Sequence, residues 1–197
     1  LDNGKRSIKP DPATPNEWYR YGRSQGLENC DVPKKLIVGV LSNGYKYSID
    51  EHQTFVSSGG TAGYSIINVP TSCNYSIYYI QAILSSKYLE WFASIYGEVF
   101  RGGFVARGTK VQTRMPIPKI DFDDAIQKAN HDRIADLQLE MNKRYAEICK
   151  STERTQIILQ RQFETMREKM DLLIQQLFDL GDIDKHIPSV KEIYRSL

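Results

Sequence analysis

Gly103 and Gly108 carry the glycine spacing of a phosphate-binding loop, G-x-x-x-x-G-K-[ST], within the stretch FRGGFVARGTK (100–110). Such a loop needs its lysine directly after the second glycine to reach the β- and γ-phosphates, and a hydroxyl residue next to hold Mg²⁺. Here Thr109 comes first, Lys110 second, and Val111 follows. Phe104, Val105 and Ala106 read as a strand rather than a tight loop. Asp121, Asp123 and Asp124 come after two prolines and suit the start of a helix better than a strand-borne metal site. Nucleotide hydrolysis is set aside. The glycines beside Arg101 and Arg107 instead predict a flexed, arginine-bearing hairpin that grips a different polyanion.

Other chemistries fail on spacing. Gly59-Gly60-Thr61-Ala62-Gly63 fits G-x-[ST]-x-G, but a strand pattern follows it and the candidate base His52 lies upstream, so a glycine turn is the better reading. No lysine has Asp or Glu two residues before it, which removes half of a common metal-nuclease site. There is no Asn-Pro-Pro-aromatic quartet for a flipped base and no glycine-rich strand-to-helix turn for a nucleoside cofactor. Cys30, Cys73 and Cys149, like His52, His131 and His186, are scattered, so a zinc site is not expected and free thiols in a reducing cytoplasm are.

The elements that must position these residues divide the chain in two. Residues 1–120 hold 14 Lys/Arg against 9 Asp/Glu, and residues 121–197 hold 12 against 15. The basic half is rich in Tyr, Gly and Ser, a composition suited to a polyanion. Residues 1–17, with Pro10, Pro12 and Pro15, read as an extended lead-in. KLIVGVL (35–41), YKYSI (45–49), QTFVSS (53–58) and GYSIINV (63–69) read as strands, the first two joined at Asn43-Gly44. A helical period runs from Tyr75 to a stop at Gly97, and TKVQTR (109–114) reads as one more strand. From Ile134 to Leu180 apolar residues step by three or four, with Gly181 as the cap. One straight helix over about 131–180 would be roughly 75 Å long. It requires a partner helix, either from a second chain, giving a dimer, or from its own fold-back near STERTQ (151–156). Ile187-Pro188-Ser189 starts a short last helix. No run is apolar enough to span a membrane. Leu1 follows no signal pattern, and the chain reads as a cytoplasmic piece of a longer protein.

Six segments in order carry a resemblance: WYRYGRSQGL (18–27), PKKLIV (33–38), the turn at 59–63, YIQAILSSK (79–87), RGGFVAR (101–107) and MPIP (115–118). Together they resemble the TaqI-like C-terminal specificity domain of adenine-specific DNA methyltransferases, notably type IIG restriction-modification enzymes, related to type I specificity subunits. The resemblance covers about residues 15–122. It implies an α+β fold: a small mixed or antiparallel-sheet target-recognition domain over 18–122, then a helical, coiled-coil-like spacer or docking arm over 123–197. It implies a non-catalytic chain that binds double-stranded DNA and partners a methyltransferase domain of the same polypeptide or a separate subunit. Adenine N6-methylation, with S-adenosylmethionine, would take place outside this chain, and no cofactor is expected within it.

Under this reading the candidate DNA contacts are Arg20, Arg23, Gln25, Lys46, Tyr47, Ser58, Thr61, Arg101, Arg107 and Lys110, since Arg can pair with guanine and Gln with adenine. Ser24, Tyr45 and Ser57 flank them. Each has a plainer use. Arg23 and Gln25 recur in the motif and can bond buried backbone, Lys46 can guard a sheet edge, and the tyrosines can pack on the sheet. Arg101 and Arg107 are the leading candidates. The rival reading is a coiled-coil assembly module that does not bind DNA.

Overall fold

The computed structural model describes residues 32–44, 47–56 and 63–197. The aliphatic run at 35–42 feeds two sheets rather than one. Lys35–Gly39 (β1) is the central strand of an antiparallel sheet, flanked by Ser48–Asp50 (β3) and Tyr64–Ile67 (β4). Leu41–Ser42 (β2) joins Phe104–Ala106 (β6), which pairs in turn with Val99–Phe100 (β5). Val40 stitches the sheets together: its N–H donates to the Gly63 carbonyl and its own carbonyl accepts from Arg107.

Two strand expectations change. Gly44 has the left-handed φ of +67° expected of Asn43-Gly44. However, β2 pairs with β6 while β3 returns to Lys35, Leu36 and Ile37, so no two-residue hairpin forms. QTFVSS forms no strand over its described residues 53–56. The Asp50 carboxylate accepts from the backbone N–H groups of His52 and Thr54 and from the Thr54 hydroxyl, which folds the chain into a turn with Gln53 at φ +54°.

The helical stretch after Tyr75 is two helices, Ile77–Leu84 (α1) and Lys87–Tyr96 (α2). Ser86 separates them: its hydroxyl donates to the Ile83 carbonyl and accepts from the Leu89 N–H, so it caps α2. TKVQTR is helical rather than extended. Thr109–Gln112 (α3) begins where the Gly108 carbonyl accepts from Val111 and Gln112, and the Gln112 amide donates to the Arg107 carbonyl.

The arm folds back on itself. Ala125–Lys150 (α4) is capped by the Asp124 carboxylate. It stops at Ser151 and Thr152, both extended, before Glu153–Phe178 (α5) returns antiparallel. Each helix is about 39 Å long. The long apolar stripe is thus covered largely from within the chain: Ile134, Leu137 and Met141 on α4 and Met170 and Ile174 on α5 are buried. Each fully buried Ile contributes about 1.5–3 kcal/mol. The cap of α5 is Asp179, left-handed at φ +50°, not Gly181, which opens a 3₁₀ turn over Gly181–His186. Val190–Ser196 (α6) starts at Ser189, as expected, with a reciprocal Ser189–Glu192 capping box.

The core lies where α1 packs between β1 and α4, around Leu36, Val38, Tyr79, Ile83 and Ile134. His131 is a structural pin there. Its Nε2 accepts from the Ser76 N–H at 3.0 Å, and its ring packs among Tyr75, Tyr79 and Phe122. The α+β class holds, and among the described residues no helix is long and apolar enough to cross a membrane.

Candidate nucleic-acid interface

Gly97 ends α2 because no side chain fits: a Cβ there would lie 2.5 Å from Val105 Cγ1 and 2.7 Å from the carbonyls of Ala93 and Ala106. This close approach lets β5 turn directly under the helix. Arg101, Gly102 and Gly103 then form the apex of the β5–β6 hairpin, with both glycines left-handed at φ +88° and +74°. The glycine-flexed hairpin is present, and Arg101 stands exposed at its tip.

Alternation along β6 decides the fate of the second arginine. Phe104 points outward, Val105 is fully buried, and Arg107, two residues on, points inward as well. Arg107 is 0 % exposed, and so is the Glu90 it meets from α2. Nη1 donates to Glu90 Oε1 at 2.9 Å and Nη2 to Oε2 at 2.5 Å. The Tyr194 hydroxyl of α6 donates to the same carboxylate at 2.7 Å and also meets Arg107. Burial pushes the Glu90 carboxyl upward while the guanidinium pulls it down. The bidentate contact to a cation that cannot lose its proton opposes that upward shift. Arg107 is therefore corrected from a surface contact to the hub joining β6, α2 and α6.

Tyr47 moves the same way. It is 5 % exposed, its hydroxyl contacts Met115 Sδ at 3.4 Å, and burial pushes its phenol up to about 12. It packs in the core and faces no solvent from which DNA could approach.

Beyond Arg107 the chain becomes a basic segment tacked down by apolar anchors. Val111, Met115 and Ile120 are buried. The Ile120 N–H donates to Tyr75 Oη at 2.7 Å, and the same hydroxyl reaches the Pro118 carbonyl at 3.4 Å. Next to the anchors, each one position before it, Lys110, Arg114 and Lys119 are exposed. Arg114 lies over the Tyr96 ring, 4.9 Å from its centroid, which orders the guanidinium without neutralising it. Arg101, Lys110, Arg114 and Lys119 form no ion pair with a described carboxylate. No Asp or Glu occurs between Glu98 and Asp121. Exposed Tyr96, Phe100 and Phe104 lie in and beside this basic stretch.

Of the sequence candidates, the structure places Arg101 and Lys110 on this exposed segment and Arg107 and Tyr47 inside the protein. Arg20, Arg23, Gln25, Lys46, Ser58 and Thr61, with the lead-in and the turn at 59–62, lie outside the described residues. Arg114 and Lys119 were not among the candidates, although the carboxylate-free run that contains them is visible in the sequence. Glu90 and Tyr194 were missed too. For Glu90 the signal was the helix face Ser86–Glu90–Ala93–Gly97, where one acid among small residues needs a buried cation.

The strand between Gly103 and Gly108 excludes the phosphate-loop geometry, and no His/Cys/Asp/Glu group suited to a metal occurs among the described residues. A groove of about 1050 Å³ separates the arm from the sheet. Its amides Gln81, Gln138 and Asn142 bond one another and the Tyr47 carbonyl, and its rim mixes Arg167 and Lys191 with Glu164, Glu168 and Asp171.

No protein-family profile matches the chain. Over all 197 residues it is 70 % identical to part of a protein from Escherichia coli, the type II restriction enzyme and methyltransferase RM.Eco57I. The chain spans 20 % of the length of that relative.

Proposed function

We propose that the chain is a DNA target-recognition unit of a restriction-modification adenine methyltransferase of the type IIG kind, and that Arg101, Lys110, Arg114 and Lys119 meet the duplex. The observation that carries this is the exposed run of four cations, with no ion pair among the described residues, on a segment held by buried Val111, Met115 and Ile120 and with no carboxylate in the run itself. Such a surface releases counterions on meeting phosphates. Arg101, alone at a narrow glycine tip, can also reach a base edge and make the bidentate guanine contact. Likeness to a restriction enzyme and methyltransferase supports DNA as the polyanion.

The residues of this chain would bind and orient DNA; the chemistry would belong to a methyltransferase domain elsewhere. S-adenosylmethionine, which would supply the methyl group, finds no fit among the described residues. The one strand-to-helix turn of the second sheet, β6 to α3, holds a single glycine, Gly108, and closes on the Arg107–Glu90 pair instead of opening a cradle. The rival assembly role draws on Tyr145, Ile157, Ile158 and Leu172, which stay exposed on the arm, while Met141, Met170 and Ile174 are buried within the chain by the fold-back.

The test is selection from randomised duplexes by the complete natural polypeptide. The proposal expects a defined short sequence to emerge and to be lost when Arg101 is replaced by Ala. Recovery of no sequence preference at any salt concentration contradicts it.

A further inference from the structure

The hairpin apex carries more than charge. Phe100 and Phe104 are directly opposed across β5 and β6, so their side chains lie on one face of the ribbon, on either side of Arg101. They are 36 % and 39 % exposed, an unusual position for two large apolar rings beside an unpaired cation. A Cβ on Gly102 would lie 3.7 Å from two atoms of the Phe104 ring, so that ring lies back over the apex. More than half of each ring is covered. The two residues therefore give the tip an apolar pad of partly covered rings, not a ring-to-ring stack or a free protruding wedge.

The surrounding charge selects what covers the pad. Four exposed cations without a carboxylate between them repel a basic partner and favour a nucleic-acid surface. On a DNA duplex the apolar feature open to such a pad is the thymine 5-methyl group, which lies in the major groove. That groove, about 12 Å wide, admits a two-stranded ribbon. Gly102 and Gly103 put no side chain between Arg101 and Phe104; Gly103 is buried against α6, so the ribbon presents its exposed side at Arg101, Gly102 and the two rings. Resting on the DNA-reading role proposed above, we infer that Phe100 and Phe104 read a thymine methyl in the major groove, next to the base pair contacted by Arg101. Arg101 supplies a polar contact and the rings an apolar one, so the hairpin distinguishes two neighbouring base pairs by different physics.

The experiment uses the complete natural polypeptide and the duplex recovered by selection, with each thymine replaced in turn by deoxyuridine, which removes only the methyl group. For the native protein, one or two adjacent positions should lose affinity by about four-fold, the value of one buried methyl group. The Phe100→Ala/Phe104→Ala variant should bind the native duplex more weakly and show no further loss with deoxyuridine at those positions. Phe100→Leu/Phe104→Leu, which keeps an apolar surface and guards against a folding defect in the first variant, should retain part of the discrimination. The inference is overturned if no thymine position responds in the native protein, or if the response persists in the alanine variant. It is also overturned if 2-aminopurine at a base step brightens on binding and the brightening is lost in the alanine variant, since that shows the rings inserted between bases. Failure to select any sequence sinks the DNA-reading role itself; selection without a methyl effect sinks only the pad.

Discussion

Arg101 and Arg107 belong to the same short stretch, each is followed by glycine, and nothing in their immediate neighbours separates them. One stands exposed at a hairpin tip; the other is sealed beneath it. Around Arg101 the cations Lys110, Arg114 and Lys119 lie at the surface without an ion pair among the described residues. Around Arg107 a carboxylate and a phenol hold both terminal nitrogens of the guanidinium, and the Val40 carbonyl takes its backbone N–H. Two adjacent regions therefore divide the labour: an outer one available to a polyanion, and an inner one that fixes its shape. The link is short, since a Cβ on Gly103 at the apex would lie 3.2 Å from the Tyr194 carbonyl. The C-terminal helix thus abuts the tip it helps to hold.

The sharpest way to break this contrast is to remove the inner cation. Arg107→Met strands a buried carboxylate and should cost about 3–5 kcal/mol of folding free energy, read by urea denaturation. Adding Glu90→Leu should recover much of that loss, because a buried ion pair replaced by apolar groups is often neutral. A smaller effect is expected at Gly97. Gly97→Ala forces a methyl group against Val105 and two carbonyls and should cost about 1–3 kcal/mol in the same assay. A native-like midpoint for either single variant would mean the inner region is not the rigid support described.

The first sheet has its own buried pair, and it gives a pH test that leaves the hairpin untouched. Lys35 opposes Asp50 in register and bonds it at 2.7 Å. That contact, with further hydrogen bonds from Thr54 and the backbone of His52 and Thr54 and against the effect of burial, holds the Asp50 carboxyl well below the usual range. A depressed folded value means that the stabilisation is fully present above the unfolded carboxylate pKa of about 3.9. It is lost as pH falls through the folded value. Stability should therefore decline below about pH 4, and Asp50→Asn should flatten that decline. An acid limb of unchanged steepness in the variant would show that Asp50 does not set it.

Local signals were legible where the physics is local. Asp124 and Ser189 cap helices where their positions before apolar-periodic runs say they should, and the polar STERTQ marks the fold-back. The α+β division followed from the change of period. What could not be read was pairing at a distance. KLIVGVL looks like one strand because its composition is uniform, but it divides at Val40 to satisfy two sheets. TKVQTR is β-like by composition, yet Gly108 and Gln112 supply hydrogen bonds that start a helical turn. Arg107 could have been placed only by joining two weak clues, its parity with Val105 and the lone Glu90 on a small-residue helix face. Neither clue means much without the other. Lys119 and Arg114 were overlooked for the opposite reason: their signal is an absence of carboxylates, which no motif records.

The central claim is that the outer cations, and not the inner one, meet DNA. The direct measurement is the slope of log binding constant against log salt concentration for a duplex, comparing the native polypeptide with Arg101→Ala/Lys110→Ala/Arg114→Ala/Lys119→Ala. The slope should shallow by about 0.9 for each of these residues that neutralises a phosphate, with the denaturation midpoint unchanged. A slope equal to the native one in the folded quadruple variant would contradict that claim.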